Sequence, residues 1–401
     1  MEVLMAKALD GVRVLDFTRM YAGSFTTMLL AELGAEVIKV ELPEGGDAVR
    51  TIAPQTKGLE SYPFIILNRG KKSITLNLSS TIGQSICQQL VSKCDILAEN
   101  FTPGVMERFG LDYEQLRQDN PGLLYASISG FGHTGPYRTY VAFDTIIQAM
   151  AGFISVTGLP GSPPTKAGPA VADFTGSTYA VISILAALQY RSKTGQGQFI
   201  DISLQDCMWL TTAIQFLPDY LTSGQEPKKL GNRQIEVTPF SIYPAKDGYI
   251  VLAIVTVDQW VRFLEVIGRQ ELRDVPEYAS QLSRIRHVDE IDAIVEEWTK
   301  QRTVDEMITQ LRAADLPCSP VPKFSEVVND PQLASRNMQV EVEQLVSGKL
   351  KVPGSPFKMS LTPGDATQPT PFLGQHNYEV YSELLGYDSA QISKLQGEGI
   401  I

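Results

Sequence analysis

Apolar and amphipathic runs alternate along the first half of the chain. Residues 12–17 (Val-Arg-Val-Leu-Asp-Phe) read as a buried strand, residues 24–33 as a helix ended by Gly34, and residues 36–40 as a second strand. Strand, helix and strand within ~30 residues form a βαβ unit, which requires a parallel sheet because parallel strands need a crossover between them. The pattern repeats with a strand at 73–78, a helix at 82–92, a strand at 95–98, a helix at 113–118 and a strand at 123–129. A long Gly-rich loop then leads to a helix at 144–152, a strongly apolar helix at 175–190 and a strand at 198–203. The alternation predicts an α/β fold whose large domain is Rossmann-like and doubly wound.

The pattern changes at residues 221–227 (Leu-Thr-Ser-Gly-Gln-Glu-Pro), a polar Pro/Gly stretch that reads as a boundary. Beyond it, residues 243–253 read as a hairpin around an Asp247-Gly248 turn. Charged helical segments follow at 260–300 and on to 314, so a smaller α+β domain is expected. The chain turns Pro/Gly-rich towards its end and finishes with a short helix at 379–385.

Composition narrows the function. At 401 residues the chain is too long for one ordinary core, and 43% hydrophobic with 20% charged residues excludes wholesale disorder. The 34 Lys+Arg against 45 Asp+Glu leave a net charge of -11, which argues against nucleic-acid binding and against attraction to anionic lipid. Cysteines at 87, 94, 207 and 318 form no C-x-x-C pair and no disulfide framework, which fits a reducing compartment. The opening Met-Glu-Val-Leu-Met-Ala-Lys has no cleavage signal, and the greasiest stretch, 180–188, is shorter than a membrane span. The expectation is a cytoplasmic protein with no membrane partner.

Several chemistries lack their residues. The first turn of the βαβ unit, Thr18-Arg-Met-Tyr-Ala-Gly-Ser24, has no G-x-G-x-x-G, although Glu41 ends the second strand where a ribose-binding acid would sit. There is no phosphate loop and no G-x-S-x-G elbow. The histidines at 133, 287 and 376 are far apart, and His133 reads as a loop hydrogen bonder; no metal site is expected. Two constellations stand out. One joins residues 68–77 (Asn-Arg-Gly-Lys-Lys-Ser-Ile-Thr-Leu-Asn) to 99–104 (Glu-Asn-Phe-Thr-Pro-Gly) and Arg108. It reads either as a solvated basic turn plus a helix-starting turn, or as an edge binding the phosphates and base of a nucleotide. The other is residues 167–177, where Asp173 stands just before the long apolar helix. That aspartate reads either as an N-cap or as a carboxylate nucleophile ringed by small side chains.

The chain as a whole resembles the class III CoA-transferases, the family that includes formyl-CoA transferase and carnitine CoA-transferase. The residues that carry the resemblance are Leu9-Asp-Gly-Val-Arg-Val-Leu-Asp-Phe, Leu33-Gly-Ala-Glu-Val-Ile-Lys-Val-Glu, Asn68-Arg-Gly-Lys-Lys-Ser, Glu99-Asn-Phe-Thr-Pro-Gly and Tyr125-Ala-Ser-Ile-Ser-Gly-Phe-Gly with Thr134-Gly-Pro-Tyr. Further blocks are Gln148-Ala-Met-Ala-Gly, Val171-Ala-Asp, Leu185-Ala-Ala-Leu-Gln-Tyr-Arg-Ser-Lys-Thr-Gly-Gln-Gly-Gln and Phe372-Leu-Gly-Gln-His.

The resemblance implies that Asp173 is the nucleophile and that Tyr21, Ala22, Leu76, Asn77, Asn100, Phe101, Thr102, Arg108, Phe143 and Asp144 lie at the CoA site. Lys71 and Lys72 are added on electrostatic grounds. It implies two chains interlocked like linked rings as a homodimer. The large domain would be built from residues 1–220 and a returning 326–401, with the small domain at 221–325. The substrates would be an acyl-CoA thioester and a small carboxylic acid, with no permanently bound cofactor and succinyl-CoA as the default donor. Tyr21, Tyr140 and Phe143 hint at an apolar or aryl acid. The chain departs from the formyl-CoA/oxalate branch, which has a glutamine at the position of Tyr21 and a glycine-rich loop where residues 230–234 stand. An α-methylacyl-CoA racemase-like isomerase is the alternative, but its catalytic histidine position is occupied by Phe143, whose ring cannot relay a proton. A non-catalytic CoA-binding subunit is a third reading, opposed by the presence of Asp173.

Overall fold

The computed structural model describes residues 7–401, which cluster into two units. The first comprises the described residues up to Phe153, Lys166–Gly224 and Pro331–Ile401; the second is Ile154–Thr165 with Gln225–Asp330. The sequence reading placed residues 154–165 with the first 220; in the structure they cluster with the second unit.

The first unit is built on a sheet of six strands: β1 (Arg13–Asp16), β2 (Glu36–Glu41), β3 (Lys72–Thr75), β4 (Ile96–Glu99), β5 (Leu124–Ser129) and β6 (Gln198–Ser203). All neighbours pair in parallel, in the order β3-β2-β1-β4-β5-β6. The strands are buried on both sides, so they read as continuous apolar runs rather than alternating ones. Val14, Val37, Ile96 and Ala126 face one core with the helices Ala22–Glu32 and Val171–Thr194. Leu15, Ile38, Ile74, Leu97 and Tyr125 face the other, with the helices Thr81–Val91, Asn377–Leu385 and Ser389–Gly397. The fold is the doubly wound α/β architecture that the alternation predicts. Its strand order reverses direction between β1 and β4, and in such sheets ligands bind at the carboxyl ends of the strands beside that switch point.

The apolar helix is longer than expected. It runs over Val171–Thr194 and ends on Gly195 in the left-handed conformation, with Arg191 and Lys193 in its last turn. By length and composition alone it passes a test for a bilayer-spanning helix, a test that the core helix of a folded domain passes as well. Its buried residues Ala180, Val181, Ile184 and Ala187 nevertheless belong to the core against the sheet.

The second unit carries an antiparallel sheet of β7 (Phe240–Pro244), β8 (Tyr249–Ala253) and β9 (Cys318–Pro320). Its helices Val257–Ile267 and Val304–Ala313 each start in a capping box, at Thr256 with Gln259 and at Thr303 with Glu306. Trp260, Phe263, Val295 and Leu311 fill its core. In the first unit, β10 (Gln339–Gln344) and β11 (Gly348–Pro353) form the hairpin, and Val342 and Val352 pack on Ile65.

Candidate active site

The turn after β1 and the turn after β4 meet at the switch point. Asn100 fastens them: its Oδ1 accepts from the Arg19 N–H at 2.8 Å and its Nδ2 donates to the Arg19 carbonyl at 2.8 Å. Gly23 makes the approach possible, because a Cβ there would lie 2.4 Å from Thr18 Cβ and 3.0 Å from Asn100 Cγ. Between them Met20 is held at a φ of 59°, a left-handed conformation that costs a non-glycine residue of order 1 kcal/mol or more and is typical of functional turns. The Phe101 N–H donates to Glu99 Oε2 at 2.7 Å, and the Arg19 guanidinium stands 5.1 Å from the Phe101 ring centre. Burial pushes the Glu99 carboxyl up to about 7, against the hydrogen bonds from Ser127 and Phe101.

These turns bound a cleft of about 270 Å³. Tyr21, Ala22, Asn100, Phe101, Thr102, Phe143 and Asp173 line it, so the structure brings seven of the thirteen expected site residues to one place. Asp144 stands just behind. Its Oδ1 accepts from the Ala172 N–H at 2.8 Å and lies 3.5 Å from the Asp173 N, while its Oδ2 accepts from Gln148 Nε2 at 2.6 Å. Asp144 therefore supplies the cap of the long helix from outside it. Asp173 is not an N-cap: the cap position is Ala170, and Asp173 lies inside the first turn.

That arrangement leaves the Asp173 carboxylate uncommitted. Among the described residues it accepts no hydrogen bond and pairs with no cation. Burial first, and the Asp144 charge second, push it up to about 7. Ser177 Oγ, one turn on, lies 2.6 Å from the Ala22 carbonyl and 2.7 Å from the Asp173 carbonyl, which ties the helix to the turn after β1.

Five expected contacts lie elsewhere. Lys71 is buried and donates to Asp16 Oδ2 at 3.0 Å, Thr27 Oγ1 at 2.7 Å, Asn68 Oδ1 at 2.9 Å and the Ser24 carbonyl at 3.1 Å. Lys72 is paired with Glu36 and Glu379, both at 2.6 Å. Neither ammonium is free for a phosphate. Leu76 is a core residue, Asn77 Oδ1 accepts from the Ser79 N–H at 3.0 Å, and Arg108 is exposed. The cations that do line the cleft are Arg19 and Arg138, neither of which the sequence reading singled out. Arg19 lay in view beside Tyr21; Arg138 sits in a loop whose path no periodicity reveals. Glu41 is likewise engaged, accepting from Arg50 twice at 2.7 Å and from Ser73 Oγ at 2.7 Å. His133 Nε2 is 2.8 Å from Ser127 Oγ, a loop hydrogen bond.

An unpaired carboxylate in a cleft lined by two arginines and by Tyr21, Phe101 and Phe143 can meet a bulky anionic ligand there. Comparison with known proteins points the same way. The model of CoA-transferase family III matches residues 9–377. A succinate–glutarate CoA-transferase of Agrobacterium fabrum is 37% identical over 384 residues, covering 94% of this chain and 95% of that protein. A formyl-CoA:oxalate CoA-transferase of Streptomyces avermitilis is 35% identical over 412 residues, covering 99% of this chain and all of that protein. A CAIB/BAIF family protein from Brucella suis has a solved structure that superposes with a TM-score of 0.82 at 35% identity, covering 94% of this chain and 100% of that one.

Proposed function

The chain belongs to CoA-transferase family III, and from that premise we propose that it moves CoA from an acyl-CoA to a free carboxylic acid through covalent intermediates on Asp173. The observation that carries the reading is a half-buried carboxylate with no partner among the described residues, in a cleft lined by Arg19, Arg138 and Phe101.

The Asp173 carboxylate attacks the donor carbonyl; the C–S bond breaks, giving a mixed anhydride and CoA thiolate. The thiolate attacks the aspartyl carbonyl of that anhydride, giving an aspartyl-CoA thioester and the free donor acid. The acceptor carboxylate attacks the thioester, forming a new anhydride and releasing the thiolate again. The thiolate then takes the new acyl group, and Asp173 returns as a carboxylate. Each step exchanges one activated acyl bond for another, so the sequence needs no ATP. It does need water kept away from both intermediates. A raised Asp173 pKa makes the carboxylate more basic, and so a better nucleophile towards a thioester once it is ionised. Asn100 holds the Arg19–Tyr21 turn at the reacting thioester, Phe101 and Thr102 line the pantetheine path, and Arg19 and Arg138 face the CoA anion. Asn77 and Arg108 remain for the parts of CoA that extend beyond the cleft.

A homodimer completes the reading. Less than half of the most apolar stretch of the Val171–Thr194 helix is buried in the single chain; its Ile182 and Tyr190 are exposed, as are Leu210 and Ile214 of the helix Leu204–Ser223. A soluble chain rarely leaves that much apolar helix surface uncovered. A second copy, interlocked as the family resemblance implies, would cover it. The exposed Tyr140 and Phe143 at the cleft, 56% and 61% accessible, would gain cover in the same way.

Intact-mass spectrometry after incubation with a panel of CoA thioesters tests the mechanism. The expected result is an adduct of CoA mass mapped to Asp173 and absent from Asp173→Ala, whose exchange rate falls by ~10³-fold or more. An Asp173→Ala variant that still turns over sinks the assignment. Exchange of a substrate α-hydrogen with heavy water, without CoA transfer, would favour the isomerase reading instead.

A further inference from the structure

A second cavity, of about 510 Å³, shares one wall with the cleft: Tyr21 lines both. Asp173 lines the cleft, and the next residue, Phe174, lines the cavity. The Tyr21 and Phe174 rings meet edge to face at 6.5 Å, so the partition between the two spaces is a pair of aromatic side chains beside the nucleophile. Its walls include Phe25, Met28 and Leu29 of the Ala22–Glu32 helix and Tyr62, Ile66 and Leu67 of the Tyr62–Asn68 helix, with prolines from the neighbouring loops. Two charged residues reach it, and they are spent on each other. Arg69 donates to Glu32 Oε1 through Nε at 3.1 Å and also through Nη2, and its Nη1 donates to the Ile66 carbonyl at 3.0 Å. Both are buried. No cation faces the cavity unpaired.

We infer that this cavity receives the acyl group while it is bonded to Asp173, and that the acids handled there are apolar monocarboxylic acids, aliphatic or aryl, in preference to dicarboxylic acids. The inference rests on the covalent chemistry proposed for Asp173. In the anhydride the aspartyl carboxyl carries the acyl chain, while CoA occupies the cleft. The chain must leave Asp173 on a side the CoA does not fill, and the space behind Tyr21 and Phe174 is such a side. An apolar chain gains by leaving water there. A second carboxylate would be desolvated with no unpaired cation to meet it, only the neutral hydroxyls of Tyr21 and Tyr62, which do not balance a buried charge.

The test is a competition with the full-length chain. Hexanoyl-CoA and phenylacetyl-CoA are compared with succinyl-CoA and glutaryl-CoA as donors to acetate, and kcat/KM is measured for each. The expected result is a preference for the apolar donors of ~10-fold or more. Ile66→Trp, which fills the cavity, should lower the phenylacetyl-to-succinyl ratio of kcat/KM by ~10-fold, and Ile66→Ala, which enlarges it with less risk to folding, should raise that ratio. Dicarboxylic donors used as well as apolar ones, or a ratio that neither variant moves, overturns the inference while leaving the transfer chemistry standing. Absence of any CoA adduct on Asp173 with all of these thioesters overturns that chemistry, and this inference with it.

Discussion

Two aspartates of the first unit, Asp16 fully buried and Asp173 half-buried, behave in opposite ways. Asp16 ends β1 and is completely buried. Burial alone would raise its pKa, but Lys71 at 3.0 Å, the Lys39 charge and the hydroxyls of Thr18 and Thr27 hold it below the usual carboxylate range. Its partners are themselves engaged: Lys39 donates to the Thr18 carbonyl at 2.7 Å and lies 2.9 Å from Asp47. Asp173 has burial without any of this, and the nearest charge, on Asp144, has the same sign. Burial sets the cost for both; the neighbours decide whether the carboxylate becomes a structural anion or a reactive one.

The contrast can be broken first at Asp16. Lys71→Met removes its closest cation and leaves a buried anion short of a partner, so the variant should lose about 3–5 kcal/mol of stability in urea unfolding. A loss below 1 kcal/mol would mean that Lys39 and the hydroxyls suffice.

A smaller effect of opposite sign is expected at Asp173. A pKa raised in the folded state means that the native protein binds more protons than the unfolded chain between about pH 4 and about 7. Its contribution to stability therefore falls as pH rises through that window. For Asp16, lowered in the fold, the contribution is present above the ordinary carboxylate pKa and is lost as pH falls. Asp173→Asn should accordingly stabilise the protein at pH 8 by on the order of 1–3 kcal/mol and by less at pH 5. Equal stability of variant and parent at both values would show that the unpaired carboxylate costs the fold nothing.

The smallest change sharpens the comparison. Asp144→Asn keeps a hydrogen-bond acceptor for the Ala172 N–H but removes the charge that helps to raise Asp173. The acid limb of kcat/KM should move to lower pH; a limb that does not move would show that burial alone sets it.

The sheet was legible because each strand of the first unit is a short apolar run bounded by turn residues, and β1 to β6 fall within a few residues of where periodicity places them. The β10–β11 hairpin was missed although Val-Glu-Val-Glu and Lys-Leu-Lys-Val alternate around Ser347-Gly348. The surrounding prolines and glycines dominated the reading. At the site, Asn100, Phe101 and Asp173 were legible from the resemblance, and Asp173 was also marked by its place before an apolar helix. Lys71 and Lys72 misled because charge is visible in a sequence and its partner is not. Asp16, Glu36 and Glu379 neutralise them from 55, 36 and 307 positions away. Arg138 went unseen for the converse reason: an irregular loop brings it to the cleft, and no local pattern encodes that path.

The fastening of Arg19 by Asn100 bridges 81 residues, and that of Ala22 by Ser177 bridges 155. During synthesis, then, the turn that carries Tyr21 gains its tie to Asn100 after a quarter of the polypeptide and its tie to Ser177 only after almost half. A fragment contains an aspartate but no dry enclosure, and an ordinary hydrated aspartate does not accumulate acyl anhydrides. On the proposed mechanism, reactivity is acquired only once the helix bearing Asp173 and Ser177 has joined the turn after β1.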